Sequence, residues 1–453
     1  MILSAAPALE PGTLLERSQS LLGLIAFTFL AFLVGRMRGA RVFPLRVVLW
    51  GTALQFVFGA IVIFSPNLLE AVQYGIQRLL DFSNEGARLL FGSLIDWVVK
   101  VRDEQGNEIG SIVLAASFAF SVLPTIIFVS MLTAMLYHLG VLTWIVHALA
   151  WIMHKTTGTS GAETLSTAAN IFVGQTEAPI VVRPFLPAAT RSELMVIMVG
   201  GFANIASGVL VYYAILLKDF VRDVGGHLAA ACFISAPATL VVSKLIMPET
   251  ESPETRGGVK FTVERLDANL IDAATRGTSE GLKLAVNVGA MLIAFTALVA
   301  LANALVGWGT GLLGLGTPST SADGSISYSG WRIEQMLGAV LAPFAWLCGI
   351  PWQDAPKVGA LLGMKTVLNE FIAYNEMSRQ FRADSTYLSP RSALITVYAL
   401  CGFANFASVG IQIGGISVLA PSRRHDLSRI GLLAMFGGAL ATLMAACVVG
   451  VLV

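Results

Sequence analysis

The sequence predicts an all-α polytopic membrane protein with eight transmembrane helices, two re-entrant hairpins, interfacial helices and an inverted repeat. Hydrophobic residues occupy 55% of the 453 positions and Asp, Glu, Lys and Arg only 13%, against about 25% charged residues in a soluble domain. Too few polar groups exist to cover a core of this size. A soluble enzyme, a nucleic-acid binder with a basic face and a disordered chain are therefore excluded. Membrane-length apolar runs and a duplicated motif are the other two observations.

Eight apolar runs predict the crossings, since a spanning helix needs about 20 mostly apolar residues. They are Leu21–Gly35, Val47–Phe64, Ser111–Tyr137, Leu194–Leu217, Leu228–Met247, Leu282–Trp308, Ala393–Leu419 and Ile430–Val453. The first run is short and is expected to extend at either end. Val141–Lys155 and Trp331–Leu347 have amphipathic or semi-apolar character, and we interpret them as interfacial helices.

Two further apolar segments, Thr164–Leu186 and Val358–Tyr374, are interrupted by polar and charged residues. Lipid offers no hydrogen-bond partner for such groups, so a full crossing is unfavourable. We predict that both are re-entrant hairpins enclosed by protein, at about residues 161-190 and 350-390.

The distribution of charge predicts the orientation. The first loop holds four arginines and no acid, and the loop before the last span holds three arginines against one acid. Loops rich in Lys and Arg face the cytoplasm, whereas the acid-rich Pro66–Gly110 is expected outside. Odd-numbered spans then run inward and both termini lie outside. Glu10 and Glu16 precede the first apolar run, so a basic-headed signal peptide is not expected.

A seven-residue motif occurs twice, 201 positions apart. Gly201–Ser207 reads GFANIAS and Gly402–Ser408 reads GFANFAS, and each copy follows an interrupted hairpin that contains a glutamate. By the span count the two hairpins enter from opposite sides, which predicts an inverted repeat of the kind found in many secondary transporters. We divide the chain into 1-110, with scaffold spans and an external amphipathic segment, and two repeats, 111-280 and 281-453. Their unwound spans lie at about 194-217 and 393-420.

Polar groups of the hairpins and repeated spans are expected to converge near the midplane. The amide of Gln175 both donates and accepts hydrogen bonds and suits a neutral ligand edge of mixed polarity. Glu370 can accept from two neighbouring hydroxyls, as on a sugar ring, and Phe403 either faces that ring or packs in the core. The other members of this set are Gly174, Thr176, Glu177, Asn204, Asn369, Asn405 and Ser408.

Several motifs of other functions are absent from the sequence. There is no G-x-x-x-x-G-K-[ST] loop and no H-E-x-x-H motif, and the four cysteines form no C-x-x-C pair. ATP-driven transport, a zinc protease and a disulfide framework are therefore disfavoured. Transport would draw on an ion gradient.

Two segments resemble the signature motifs of the concentrative nucleoside transporter family. They are Gly174–Pro179, which reads GQTEAP, and Gly363–Tyr374, which reads GMKTVLNEFIAY. The resemblance covers the chain from about the third span to its end, and eight spans without additional N-terminal helices are similar to the bacterial branch. It implies a homotrimer in the bacterial inner membrane, in which each protomer has a scaffold and a mobile transport domain.

The resemblance also implies positions for substrate and ion. In that family the first hairpin and fourth span hold the base, and the second hairpin and seventh span hold the ribose. The base residues map here to Gln175, Thr176, Glu177 and Val209, and the ribose residues to Glu370, Asn405, Ser408 and, as an apolar wall, Phe403. The sodium site maps to the side chains of Asn170 and Asn204 and the carbonyl oxygens of Val173 and Ile205.

Two points in this mapping stay open. The family pattern leads us to expect a small hydroxyl residue where Asn204 stands. Sodium is the expected coupling ion, since oxygen ligands suit a hard cation, but proton coupling through Glu177 or Glu370 remains an alternative. Lys365 is expected either to pair with a carboxylate or to extend to the interface.

The predicted function is a cation-coupled symporter, embedded in the lipid bilayer, that imports nucleosides by alternating access. A uridine-like substrate is favoured, although the choice between pyrimidine and purine is not determined, and no nucleic-acid partner or catalytic residue is expected. Besides proton coupling, the alternatives are an intramembrane enzyme with Glu177 and Glu370 as acid and base, and a channel. An inverted repeat disfavours the enzyme, and convergence on a closed site disfavours the channel.

Overall fold

The computed structural model describes residues 12–92, 98–102, 108–113, 118–257, 267–313, 317–320, 326–329 and 331–453. These parts of the chain are mainly helical, with two short antiparallel β-hairpins. The helices are α1 (Leu14–Met37), α2 (Leu45–Ile63), α3 (Pro66–Phe91), α4 (Phe118–His138), α5 (Val141–Thr157), α6 (Gly161–Ala169), α7 (Arg191–Ala203), α8 (Ser207–Leu217), α9 (Val224–Ile246), α10 (Leu270–Leu312), α11 (Ile333–Leu347), α12 (Ala355–Val367), α13 (Glu370–Ala383), α14 (Pro390–Leu400), α15 (Phe406–Leu419) and α16 (Arg424–Leu452). The strands are β1 (Val98–Arg102), β2 (Glu108–Val113), β3 (Thr317–Thr320) and β4 (Ile326–Ser329), and 3₁₀ segments cover Ala178–Ala188 and Pro421–Arg423.

Long apolar helices give the chain its membrane class. Within the described residues α1, α2, the α7–α8 pair, α9 and the helical stretch Pro421–Leu452 are long and apolar enough to cross a membrane. The pair α4 and α5 would add a sixth crossing, although the chain bends there by 74°. The helical polytopic class is thus confirmed, whereas the count of eight crossings, the orientation and the domain boundaries stay predictions.

The predicted start of the third span is wrong. Residues Ser111–Val113 belong to β2, where they pair with Val98–Lys100 of β1, and the helix α4 begins at Phe118. A short apolar run rich in β-branched residues has the same hydropathy whether it continues a helix or forms a strand. Residues 114–117 of the predicted span lie outside the described residues.

The core is built around α7, α9, α14 and α16. Every residue of α7 from Ser192 to Ala203 is buried, and so are all residues of α14 after its first. Helix α16 packs against α1, α7, α9 and α14, and α9 packs in turn against α2. In contrast, α1 and α2 expose large apolar side chains such as Phe29 and Trp50, as expected for helices that face lipid.

Two helices of the core are interrupted in the segments that the sequence repeats. The stretch Asn204–Ala206 separates α7 from α8, and residues Cys401–Asn405 separate α14 from α15. A Cβ atom on Gly402 would lie 2.7 Å from the carbonyl oxygen of Phe202. Only glycine therefore permits this close approach, and the two interrupted helices touch at their breaks.

The first re-entrant segment begins and ends at a shared buried cluster. Ser160 caps α6 and Thr190 caps α7, and the third residue of each helix, Glu163 and Glu193, completes a capping box. The Lys244 ammonium forms an ion pair with Glu163 and donates to the hydroxyl of Ser192 at 2.7 Å. The two ends of this segment are thereby joined to the end of α9.

Candidate functional site

A cavity of about 510 Å³ lies between the tips of the two re-entrant segments, the broken helices and α10. Small-molecule sites typically have volumes of about 300–1,000 Å³. The cavity is lined by all eight residues that the sequence predicts for substrate binding, namely Gln175, Thr176, Glu177, Val209, Glu370, Phe403, Asn405 and Ser408. The tip residues Gly174 and Asn369 also line it, so the two halves of the chain meet at one site.

The Gln175 amide at the first tip is held by two residues of α15. Its Nε2 donates to the Ser408 hydroxyl at 3.4 Å, and its Oε1 accepts from Gln412 Nε2 at 3.1 Å. Asn405 caps α15 through Oδ1, which accepts from the Ser408 backbone N–H at 2.9 Å. The cap therefore orders the turn that carries Ser408.

At the second tip, Glu370 is buried and bonded through both carboxylate oxygens. The Tyr213 hydroxyl donates to Oε1 at 2.9 Å, and Asn405 Nδ2 donates to Oε2 at 3.3 Å. Asn369, the preceding residue, caps α13 by accepting from the Ile372 N–H at 2.9 Å. Each oxygen keeps further acceptor capacity toward the cavity, because a carboxylate has about four lone-pair sites.

Aromatic rings fix α13 against α8 beside this carboxylate. The Tyr212 and Phe371 rings stack with centroids 4.7 Å apart, and the Tyr213 and Tyr374 centroids are 4.3 Å apart. Aromatic pairs stabilise a contact beyond the area that they bury. The stack therefore holds the second tip against the fourth span.

Glu177 presents its carboxylate to the cavity. Its Oε2 accepts from the Gly174 N–H at 3.2 Å, and its side chain is exposed rather than packed. A side chamber of about 90 Å³ continues past it toward α4 and α10, where Glu280 and Arg276 line the wall. Arg276 donates to both oxygens of Glu280 at 3.1 Å and to Asp267 at 2.7 Å.

The predicted cation residues lie at the first tip and the break of the fourth span. Asn170 and Asn204 are buried, and both lie close to Gly200. A Cβ on Gly200 would lie 3.1 Å from Asn170 Nδ2, and Asn204 Nδ2 donates to the Gly200 carbonyl at 3.4 Å. Asn204 Oδ1 accepts from Ser235 at 2.5 Å. Asn170 Oδ1 is buried without a hydrogen-bond partner among the described residues. An oxygen in this position suits a cation ligand.

Val173 and Ile205, whose carbonyl oxygens complete the predicted cation set, are also buried. Val173 directly precedes the first tip, and Ile205 lies inside the break. Over the described ranges, no group of three or more His, Cys, Asp or Glu residues is placed to hold a metal ion. The oxygen set at the break is therefore the candidate cation site.

Lys365 neither pairs with a carboxylate of the described residues nor extends to the membrane interface, the two alternatives that the sequence suggested. It is buried, and its ammonium donates to the Ala399 carbonyl at 2.9 Å and to the Thr442 hydroxyl at 3.0 Å. Ala399 lies in the last turn of α14, where carbonyls lack helical partners. Both interpretations were wrong, because neither allowed for a helix end as the partner of the cation.

Sequence reasoning missed five polar residues at the site. Tyr213 and Gln412 each lie four positions after a predicted site residue, Val209 and Ser408. Residues four apart share a helix face, so this spacing was the signal that could have identified them. Nothing in the sequence placed α10 at the cavity, which its residues Glu280, Lys283 and Asn287 line.

Three family models match the chain in succession. They are described as the Na+ dependent nucleoside transporter N-terminus over residues 22–94, nucleoside recognition (gate) over 119–220, and the Na+ dependent nucleoside transporter C-terminus over 227–450. Together these ranges cover most of the sequence and include all the site residues named above.

Curated relatives are similar along nearly all of the chain. The Bacillus subtilis protein described as uncharacterized transporter YutK is 40% identical over 437 residues, which cover 96% of this chain and 98% of that protein. Rat sodium/nucleoside cotransporter 1 is 39% identical over 94% of this chain, and human solute carrier family 28 member 3 is 36% identical over 95%. The matches span 62% and 59% of those two longer proteins.

Solved structures of the transporter CNTnw share the fold. Its inward-facing substrate-bound state has a TM-score of 0.81 at 35% identity, and a doubly substituted form in an outward-facing state has 0.83 at 34%. Each match covers 96% of this chain and 97% of the CNTnw chain. The similarity thus extends to structures solved in two states that open to opposite sides.

Proposed function

The chain belongs to the concentrative nucleoside transporter family, and from this premise we propose that it is a sodium-coupled symporter that imports nucleosides by alternating access. Family membership makes it a multi-pass membrane transporter for nucleosides and rules out the intramembrane enzyme. Sodium as the ion, a uridine-like substrate, a homotrimer, the bacterial inner membrane and external termini are the finer parts of the proposal. The proposed function assigns no catalytic residue.

One observation carries the proposal: both signature segments supply polar side chains to a single cavity. Gln175 offers an amide to the edge of a base, while Glu370 and Asn405 offer acceptors and a donor to ribose hydroxyls. Val209 and Phe403 add apolar surface to the cavity wall. Such a mixture of apolar walls and a few polar groups is typical of small-molecule sites.

The proposed coupling follows from the position of the cation residues. A cation bound to Asn170, Asn204 and the carbonyl oxygens of Val173 and Ile205 would draw the first tip toward the broken fourth span. Val173 is followed directly by Gly174 and Gln175, so the same contact would order the base subsite. Binding of cation and nucleoside would then favour one another, as linkage requires.

Uptake of labelled uridine into proteoliposomes tests the proposal. We expect uptake to rise with an inward sodium gradient and to be unchanged by a pH gradient, and Glu370→Gln to reduce it strongly. Uptake that depends on the pH gradient and not on sodium would transfer the coupling to protons. Failure to accumulate any of a panel of purine and pyrimidine nucleosides under either gradient would contradict the function itself.

A further inference from the structure

Gln412, on α15, contacts the base residue Gln175 through an amide whose orientation is determined by the backbone. Gln412 Nε2 donates to two acceptors at 3.1 Å, the carbonyl oxygen of Met198 and Oε1 of Gln175. A backbone carbonyl can only accept a hydrogen bond, so the nitrogen of Gln412 must face Met198. The Gln175 atom that faces this nitrogen must then be the oxygen.

The consequence is a fixed edge toward the ligand. With Oε1 of Gln175 turned to Gln412, its Nε2 points to Ser408 and the cavity. One of its two N–H groups is used by the Ser408 hydroxyl at 3.4 Å. The other is available to a ligand, so the edge that Gln175 presents is a hydrogen-bond donor.

Gly201 of the repeated motif makes room for this arrangement. A Cβ at that position would lie 2.5 Å from Gln412 Nε2 and 3.0 Å from Gln175 Cβ. Contacts under 3.0 Å are not tolerated, so a larger residue would displace the Gln412 amide. Gly201 therefore provides the space that the Gln412 amide needs in order to reach Gln175.

We propose that Gln412 is a positioning residue that sets base selectivity: it holds Gln175 so that an N–H meets the group at position 4 of a pyrimidine base. The proposal rests on the function proposed above and deepens it. Uracil and cytosine exchange donor and acceptor at positions 3 and 4, so uridine and cytidine form the test pair. The fixed donor is expected to favour uridine, whose position 4 carries a carbonyl.

The experiment measures dissociation constants for uridine and cytidine in sodium buffer, with the purified full-length protein. Gln412→Met keeps the length of the side chain without its donor, so the Gln175 amide can present either edge. We expect the ratio of the two constants to move about three- to tenfold toward one, in line with the net worth of one hydrogen bond. The ratio for uridine and 2′-deoxyuridine, which reports the ribose subsite, should stay constant.

Three further variants separate positioning from a general loss of structure. Ser417 lies on the same helix, and its buried hydroxyl has no hydrogen-bond partner within the described part of the chain. Ser417→Ala should leave both ratios unchanged. Gly201→Ala keeps Gln412 but displaces its amide, and should reproduce the change in the base ratio. In a Gln175→Ala background, Gln412→Met should no longer alter that ratio, since a double-mutant cycle isolates an effect that acts through one partner.

The outcomes distinguish this inference from the proposed function. If the wild-type protein binds neither nucleoside, the proposed function fails. If it binds both with a ratio near one, or if neither Gln412→Met nor Gly201→Ala moves the base ratio in a protein that still binds uridine, the role of Gln412 is overturned. The role of Gln412 would also be overturned if Gln412→Met still altered the base ratio in the Gln175→Ala background.

Discussion

The Tyr213 hydroxyl donates a 2.9 Å hydrogen bond to Oε1 of Glu370, which joins the second half of the broken fourth span to the tip of the second hairpin. The bond from Gln412 to Gln175 does the same in the opposite direction, from the broken seventh span to the first tip. Each tip is therefore held by the broken helix of the other repeat. Neither the base subsite nor the ribose subsite can form from one repeat alone. The affinity for a ligand that contacts both tips therefore depends on the packing of both halves.

Tyr213→Phe is expected to weaken nucleoside binding about tenfold, because it removes one donor that orients Glu370 while keeping the ring in contact with Tyr374. This ring contact should preserve the fold, so the melting temperature should change little. The measurement is the dissociation constant for uridine in sodium buffer, together with the constant for 3′-deoxyuridine. The penalty should be smaller for the deoxy compound, which has one hydroxyl fewer to lose.

Tyr398→Phe is the matched control. Tyr398 is equally buried, but its hydroxyl contacts Nδ1 of His227 at 2.9 Å and not a residue of the cavity. It should leave uridine affinity within about twofold of wild type. Equal losses in the two variants, or no loss in Tyr213→Phe, would show that Glu370 does not depend on Tyr213.

The features of this protein that could be predicted from its sequence are those encoded by short-range patterns, namely hydropathy and short motifs. Hydropathy predicts the membrane class. The signature motifs, the repeated GFAN segment and the family resemblance together identify eight residues that line the cavity. The contacts between those residues and their supports were not predictable. The bond from Lys365 to Ala399 and the approach of α10 to Glu177 join positions far apart in sequence. A single sequence carries no signal for such pairings.

Lys365→Met is expected to destabilise the protein by about 1–2 kcal/mol. The Ala399 carbonyl and the Thr442 hydroxyl would each lose a buried donor, at a cost of about 1–3 kcal/mol for an unsatisfied group. Relief from burying an ammonium acts in the opposite direction, so the net loss is smaller than the sum. Thermal unfolding in detergent measures the change.

Lys357, on the same helix, provides the comparison. Its ammonium also donates to a carbonyl, that of Tyr387, but its side chain is 41% exposed. Water can replace a donor there, so Lys357→Met should shift the melting temperature less than Lys365→Met does. A larger shift in melting temperature for Lys357→Met than for Lys365→Met would mean that burial of the ammonium does not determine the loss of stability.

Asn170→Ala is expected to raise the sodium concentration for half-maximal uridine binding about tenfold. The substitution removes an oxygen that has no partner of its own among the described residues, and about 1.4 kcal/mol of lost cation affinity corresponds to a factor of ten. In sodium-free choline buffer the variant and the wild type should bind uridine equally weakly. Titration of uridine binding against sodium checks both statements.

Thr239→Val is the control for that titration. Thr239 lies on α9 beside Gly200, and its hydroxyl donates to the Ser235 carbonyl of its own helix at 2.9 Å. The replacement keeps the shape of the side chain and should leave the sodium dependence unchanged. A sodium requirement that is the same in Asn170→Ala and wild type would remove Asn170 from the cation site.

Lys244→Met is expected to be the most destabilising of these substitutions, at about 3–5 kcal/mol. Lys244 is paired with Glu163, and the two side chains are only 5% and 1% exposed. Removal of one partner leaves a buried charge without compensation, which costs far more than the pair contributes. The pair of Arg379 and Glu376, whose side chains are 63% and 21% exposed, is the better-solvated control, and Glu376→Gln should cost under about 1 kcal/mol.

A second substitution tests whether the uncompensated charge is the cause. Glu163→Gln in the Lys244→Met background removes that charge and keeps an acceptor for the Ser160 backbone N–H, which now donates to Glu163 at 2.7 Å. The double variant should therefore melt at a higher temperature than Lys244→Met alone. If it melts lower, the loss arises from the packing of Lys244 against α6 and α7, and the ends of the first hairpin are not joined by charge.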